Sequence, residues 1–321
     1  MSPQLASVLP SLAALRGQDL LSSADLSRDQ TFALLQLAAE LKSGERSVNL
    51  RGKTLGLIFT KASTRTRVSF TVAMARLGGQ TLDLNPSVTQ VGRCEPVADT
   101  ARVLSRYVDA LAIRTFAQQE LTEYAHWASI PVINALTDLE HPCQALADLL
   151  TVQEAFGPSD GQGGLTLAYV GDGNNVVHSL LLTGALLGVN VRIGCPAGFE
   201  PDPAVVERAR SLAAGRSAIE VTDDPVAAVR GAQALYTDVW ASMGQEQEQT
   251  QREAAFQGFC LDEALLAEAD ARAIVLHCLP AHRGEEISAG VIEGSASRVF
   301  DQAENRLHVQ QALLAVLLGG L

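Results

Sequence analysis

Within Ser63-Thr64-Arg65-Thr66-Arg67 stand two arginines and three hydroxyl side chains, directly after Phe59-Thr60-Lys61-Ala62. Leu55, Leu57, Ile58 and Phe59 upstream form the short apolar run of a buried strand, and Val68 to Leu77 downstream reads as a helix stopped by Gly78-Gly79. Ser63 is the expected N-cap. The unpaired N–H groups of a first helical turn attract anions, and guanidinium forks strengthen that preference. Arginine in a first turn opposes the helix dipole, so two of them gain little as mere surface charge. The chemistry that fits is phosphate binding.

Further groups stand at other strand ends. His141-Pro142-Cys143-Gln144 opens a long helix, where a structural His and a solvent-facing Gln are the plain alternative to two hydrogen-bond donors. Gly171-Asp172-Gly173-Asn174-Asn175 resembles the start of a dinucleotide fingerprint. Its third glycine is replaced by Val176, and no acid ends the next strand, Ile193-Gly194-Cys195. Nicotinamide binding is therefore not expected. Asn174 and Asn175 either cap the following helix, which spacing favours, or bind a carboxylate. Asp238-Val239-Trp240-Ala241-Ser242-Met243-Gly244 follows another strand, and Asp238 by itself reads as a loop acid or cap. In His277-Cys278-Leu279-Pro280, Cys278 by itself reads as a buried inert thiol, and His277 with His282 matches no standard zinc spacing. No metal or organic cofactor is expected.

The elements that must carry these groups alternate strand and helix. Ser27 and Gln30 form a capping box before a helix Thr31–Leu41. Strands are expected at Leu55–Phe59, around Leu82, at Ala110–Ile113 ending on Arg114, and at Ile130–Ala135. A helix is expected at Thr100–Tyr107, and a long one runs from Pro142 to Phe156. A Gly/Pro/Ser/Asp-rich break at Gly157–Gly164 marks the domain junction at or just before it. Beyond it come a strand Leu165–Val170, a helix Val176–Leu187, strands Asn190–Gly194, Ala234–Tyr236 and Ala273–Leu276, and an apolar helix after Asn305. The pattern is that of an α/β protein with two doubly wound parallel-sheet domains. Every motif named above falls at the carboxyl end of a strand.

Composition narrows the class. The 321 residues suit two domains. A net charge of −12 argues against a nucleic-acid partner, so an anionic substrate needs a local basic cluster. Only three of the 24 basic residues are lysine, which favours forked contacts. Five scattered cysteines, at 94, 143, 195, 260 and 278, form no C-x-x-C pair and indicate a reduced, cytoplasmic protein. There is no transmembrane-length apolar run and no secretory pattern, so no membrane association is expected.

S-T-R-T-R with V-S-F, H-P-x-Q, D-V-W-x-S-M-G, H-C-L-P and E-N-R (Glu304-Asn305-Arg306) occur here in the order of the transcarbamoylases, and from about Gly17 onward the chain resembles that family. H-C-L-P and the S-M-G loop resemble its ornithine branch; aspartate enzymes typically carry H-P-L-P. Thr60 departs from the family, which often has glutamate there. The resemblance implies transfer of the carbamoyl group from carbamoyl phosphate to the δ-amino group of ornithine, giving citrulline. It implies that Ser63, Thr64, Arg65, Thr66, Gln90, Arg114, His141, Gln144, Cys278, Leu279 and Arg306 bind carbamoyl phosphate. Asn175, Asp238, Ser242 and Met243 would bind ornithine, with Gln245–Arg252 as a polar mobile lid. Arg65, Arg114, His141 and Cys278 would be catalytic. Gln90 would be lent to a neighbouring subunit, implying a homotrimer. The implied domains are residues 1–147 for carbamoyl phosphate (1–16 an extension), 148–304 for ornithine, joined by the long helix, and 305–321 as a helix returning to the first domain.

Overall fold

Strand β1, Thr54–Phe59, buries every residue from Leu55 onward, because helices cover both faces of a parallel sheet. In the computed structural model, which describes residues 10–85, 95–157, 164–241 and 249–321, the chain forms two compact units. One comprises Met1–Leu150 with Glu304–Leu321, the other Thr151–Ala303.

The first unit holds β1, β2 (Gln80–Asp83), β3 (Ala110–Arg114) and β4 (Val132–Leu136), all parallel in the order β2-β1-β3-β4. Its helices are α1 (Arg28–Ser43), α2 (Arg65–Arg76), α3 (Val97–Leu104), α4 (Gln118–Trp127) and α5 (Pro142–Phe156). The Ser27/Gln30 capping box is present, and Gly44 ends α1 in the left-handed conformation. Helix α2 begins three residues before the apolar pattern suggests. Its N-cap is Thr64, in a helical conformation and without a side-chain capping bond, so Ser63 is not the cap.

The second unit holds β5 (Thr166–Val170), β6 (Asn190–Gly194), β7 (Ile219–Thr222), β8 (Ala234–Thr237) and β9 (Ile274–His277), parallel in the order β7-β6-β5-β8-β9. Its helices are α6 (Asn175–Leu187), α7 (Pro203–Ala213), α8 (Pro225–Val229), α9 (Gln249–Ala255), α10 (Glu263–Ala267) and α11 (Ala289–Ile292). The last helix, α12 (Val299–Leu317), starts before Asn305, because buried polar residues such as Gln302 continue the helix where apolar periodicity is lacking. Both unit divisions fall inside helices, α5 and α12. Among the described residues no helix is long and apolar enough to cross a membrane.

Each sheet reverses its strand order once: between β1 and β3 in the first unit, and between β5 and β8 in the second. Crevices at such reversals, beyond the carboxyl ends of the strands, are where open α/β sheets bind ligands.

Candidate active-site residues

In the first unit the reversal point is lined by the turn after β1 and by Arg114, the last residue of β3, which pairs with Phe59 in the sheet register. The ladder continues past the sheet: Thr60 N donates to Arg114 O at 2.9 Å. The Thr60 hydroxyl contacts Arg114 O and Thr115 Oγ1, each at 3.2 Å. Lys61 is buried, pairs with Asp138 and sits 4.1 Å from the centre of the Phe116 ring. The two arginines of the motif part company. Arg67 pairs with Asp83 and lies over Phe59, whereas Arg65 is exposed at the start of α2.

Arg306, from α12, joins the motifs. Its Nη2 donates to Thr66 Oγ1 at 2.7 Å and its Nη1 to Gln144 Oε1 at 2.8 Å. All three side chains are buried. Gln144 Nε2 in turn donates to Asp148 Oδ1 at 2.7 Å. A hydroxyl that accepts from a guanidinium keeps its own proton to donate, so Thr66 is set up as a donor.

His141 precedes Pro142, the first residue of α5, and its carbonyl accepts from Gln144 N at 3.0 Å. Its pKa is held well below the ordinary 6.5 by burial and by the charges of Arg306 and Arg114. The imidazole is therefore neutral near pH 7, with one ring N–H to donate and no extra proton to release. Burial pushes the adjacent Cys143 thiol up to about 12, and its Sγ faces Asn134 O at 3.6 Å, which removes it as a nucleophile. Glu140, buried one residue earlier, accepts from Ser23 N at 2.9 Å and fixes this loop against the N-terminal segment.

In the second unit β5, β8 and β9 are neighbours, and the residues just past their ends meet. Asp238, buried after β8, accepts from Cys278 Sγ and from Asn174 Nδ2, each at 2.9 Å, and from Val239 N at 2.8 Å. Asn174 is the N-cap of α6, accepting from Val176 N and Val177 N; Asn175 is the first residue of that helix. Asn174 thus caps the helix and orients Asp238 at once. Leu279 follows Cys278 with φ at 59°, and its N–H donates to His277 Nδ1 at 2.9 Å.

The glycine decoy has a structural explanation. A Cβ on Gly173 would come within 2.3 Å of Pro201 N and 2.6 Å of Phe199 O, so the glycine is required by the close approach of the 199–201 backbone. Among the described residues, two groups bring three ligand-type atoms within 4.8 Å: Asp238, His277 and Cys278, and His282, Glu285 and Glu286. Protein partners already engage the first: both Asp238 oxygens are hydrogen-bonded, and His277 Nε2 contacts Glu286 Oε1 at 3.0 Å.

Arg252, expected at the end of the polar lid segment, is held by protein partners. It is buried, paired with Asp172 at 2.9 Å, and donates to Trp240 O at 2.7 Å. Gln90, Ser242 and Met243 lie outside the described residues. Sequence reasoning missed Asp148, Glu140 and the Asp172–Arg252 pair. The spacing of Gln144 and Asp148, four residues apart on one helix face, was the available signal for the first.

The chain thus has two parallel-sheet α/β units, one with a buried basic cluster and the other with a buried acid at the strand-order reversal. The chain belongs to the aspartate/ornithine carbamoyltransferase family. Residues 18–154 match the model of its carbamoyl-P binding domain, and residues 163–317 match that of its Asp/Orn binding domain. It is 74% identical over 310 residues to the ornithine carbamoyltransferase of Prochlorococcus marinus (strain MIT 9313), covering 97% of this chain and 96% of that one. To that of Parasynechococcus marenigrum (strain WH8102) it is 72% identical over 321 residues, 100% of both. Among solved structures it resembles ornithine carbamoyltransferase from Gloeobacter violaceus, with TM-score 0.86 and 58% identity over 95% of this chain and 99% of that one. The enzyme from Pyrococcus furiosus superposes with TM-score 0.90 at 48% identity, covering 96% and 99%.

Proposed function

We propose that this enzyme transfers the carbamoyl group of carbamoyl phosphate to the δ-amino group of L-ornithine, giving L-citrulline and phosphate. The observation that carries the reading is the Arg306 fork, which unites Thr66, Gln144 and the C-terminal helix beside Arg114 and His141.

Carbamoyl phosphate belongs to the first unit. Ser63, Thr64, Arg65 and Thr66 bind its phosphate at the start of α2, where the Thr64 side chain supplies no cap. Arg65, Thr66, Arg114 and neutral His141 donate to the carbonyl oxygen, where negative charge develops as nitrogen attacks. Losing one such donor typically costs about 3 kcal/mol, near a hundredfold in rate. Gln144 and Arg306 hold the carbamoyl end. Ornithine belongs to the second unit. Asp238 pairs with its α-ammonium, with Asn175, Ser242 and Met243 around it. The attacking amine is protonated in water, with a pKa of about 10.4 for a lysine-like group, so its neutral form must be captured or made. The departing phosphate is a base in the right place to take that proton.

The family resemblance supports three further parts of the proposal: a homotrimer in which Gln90 serves a neighbouring subunit, a cytoplasmic location, and a role in arginine biosynthesis. A light-scattering mass about three times 34.0 kDa is expected. Citrulline and phosphate should appear in equal amounts from carbamoyl phosphate and L-ornithine. Phosphate release without citrulline would reduce the activity to hydrolysis.

A further inference from the structure

Gln144 lies between two buried groups of opposite hydrogen-bonding character. Its Oε1 accepts from Arg306 Nη1 at 2.8 Å and its Nε2 donates to Asp148 Oδ1 at 2.7 Å. A carboxamide is nearly symmetric in shape, so its partners decide which end is oxygen. A guanidinium only donates and a carboxylate oxygen accepts, so the two partners set the same orientation. Gln144 then turns an oxygen toward Arg306 and offers a second Oε1 lone pair to a ligand beside it. A carbamoyl NH2 is a donor and needs that lone pair; a flipped amide would meet it donor to donor.

We infer that Asp148 is a positioning residue that, together with Arg306, holds the donor–acceptor sense of Gln144, and through it the preference for an acyl phosphate bearing an amide nitrogen. The inference rests on the proposed function. Asp148 is fully buried four residues from Gln144 on α5, so its effect on a ligand is expected to pass through the Gln144 amide.

The test compares three probes on the intact enzyme: the KM for carbamoyl phosphate, and inhibition by acetyl phosphate, which carries a methyl in place of NH2, and by inorganic phosphate. In Asp148→Leu the preference for carbamoyl over acetyl phosphate should fall about tenfold or more, since a site built to pair an N–H loses its means of recognising it. Inhibition by acetyl phosphate and by phosphate should stay within about twofold of the parent enzyme. Asp148→Asn keeps an acceptor oxygen and should restore most of the preference. If Asp148→Leu does not fold, Asp148→Ser, which leaves room for a water, carries the same comparison. Equal weakening of all three probes, or an unchanged preference, would overturn the inference. Failure of the parent enzyme to form citrulline would instead overturn the functional reading itself.

Discussion

The two units solve the same positional problem with opposite charge. Each puts its polar residues at the strand-order reversal of a parallel sheet. In the first, buried Arg306, Arg114 and Lys61 dominate, and burial together with the charges of Arg306 and Arg114 keeps His141 neutral. In the second the central group is an acid: Asp238, oriented by Asn174 and Cys278, with Asp172 held by Arg252 nearby. The fold supplies the place, and under the proposed function the few residues past each strand end choose the sign of the ligand: an acyl phosphate in one, an ammonium in the other. Arginine and asparagine differ accordingly. Arg306 is a fork that ties distant segments into one donor array, whereas Asn174 is local, linking a helix start to one carboxylate.

The largest effect should come from the buried fork. Arg306→Lys leaves two buried acceptors without their donors, because one ammonium cannot copy a guanidinium, and kcat/KM for carbamoyl phosphate should fall several hundredfold or more, about 4 kcal/mol. Steady-state kinetics alongside denaturant unfolding will separate this from a loss of folded protein. Arg65→Lys, at an exposed position, should lower turnover about a hundredfold with unchanged stability. Near-normal turnover in that variant would remove Arg65 from the phosphate site.

Asp238→Asn sharpens the comparison from the other side. It should lower kcat/KM for ornithine about a hundredfold, yet leave calorimetric binding of carbamoyl phosphate alone within about twofold. Equal loss for both substrates would dissolve the division of labour between the units.

Acid should act through the first unit. His141 and His308, both buried, titrate below the ordinary 6.5, chiefly through burial. Below about pH 6.5 the unfolded chain therefore binds protons that the folded chain does not. Their stabilising contribution is whole above that pH and declines as pH falls, by at most about 1.4 kcal/mol per unit for His141 and less for His308. Urea midpoints between pH 5.5 and 7.5 should show the decline, and the paired His141→Gln, His308→Gln variant should flatten it. The smallest effect is Asn174→Ala: about 1 kcal/mol of stability lost with the cap, and a modest rise in KM for ornithine as Asp238 loses a partner.

The strands and most helices were legible because their burial is periodic or continuous: α5 and β6 have the bounds the apolar pattern sets. Helix α2 was misjudged at its start, since Ser63 and Thr64 are both cap-type residues and only backbone geometry separates them. β7 and α8 are too short to stand out, with β7 exposing Glu220 between buried Ile219 and partly buried Val221, whereas α7 buries Val206, Ala209 and Ala213 at helical spacing and was overlooked. The motifs were readable one at a time. Their joining was not, because Arg306 reaches Thr66 and Gln144 across 240 and 162 residues of chain. The Arg252–Asp172 pair was hidden for a related reason, since its partners lie far apart in the chain.

Citrulline-type product formation from carbamoyl phosphate should be measured with L-ornithine beside L-aspartate, putrescine and N-acetylornithine. The account predicts rapid turnover with ornithine alone, since Asp238 requires a free α-ammonium and the reaction a free δ-amine. Turnover with aspartate, putrescine or N-acetylornithine at comparable rates would contradict the assignment of ornithine to the second unit.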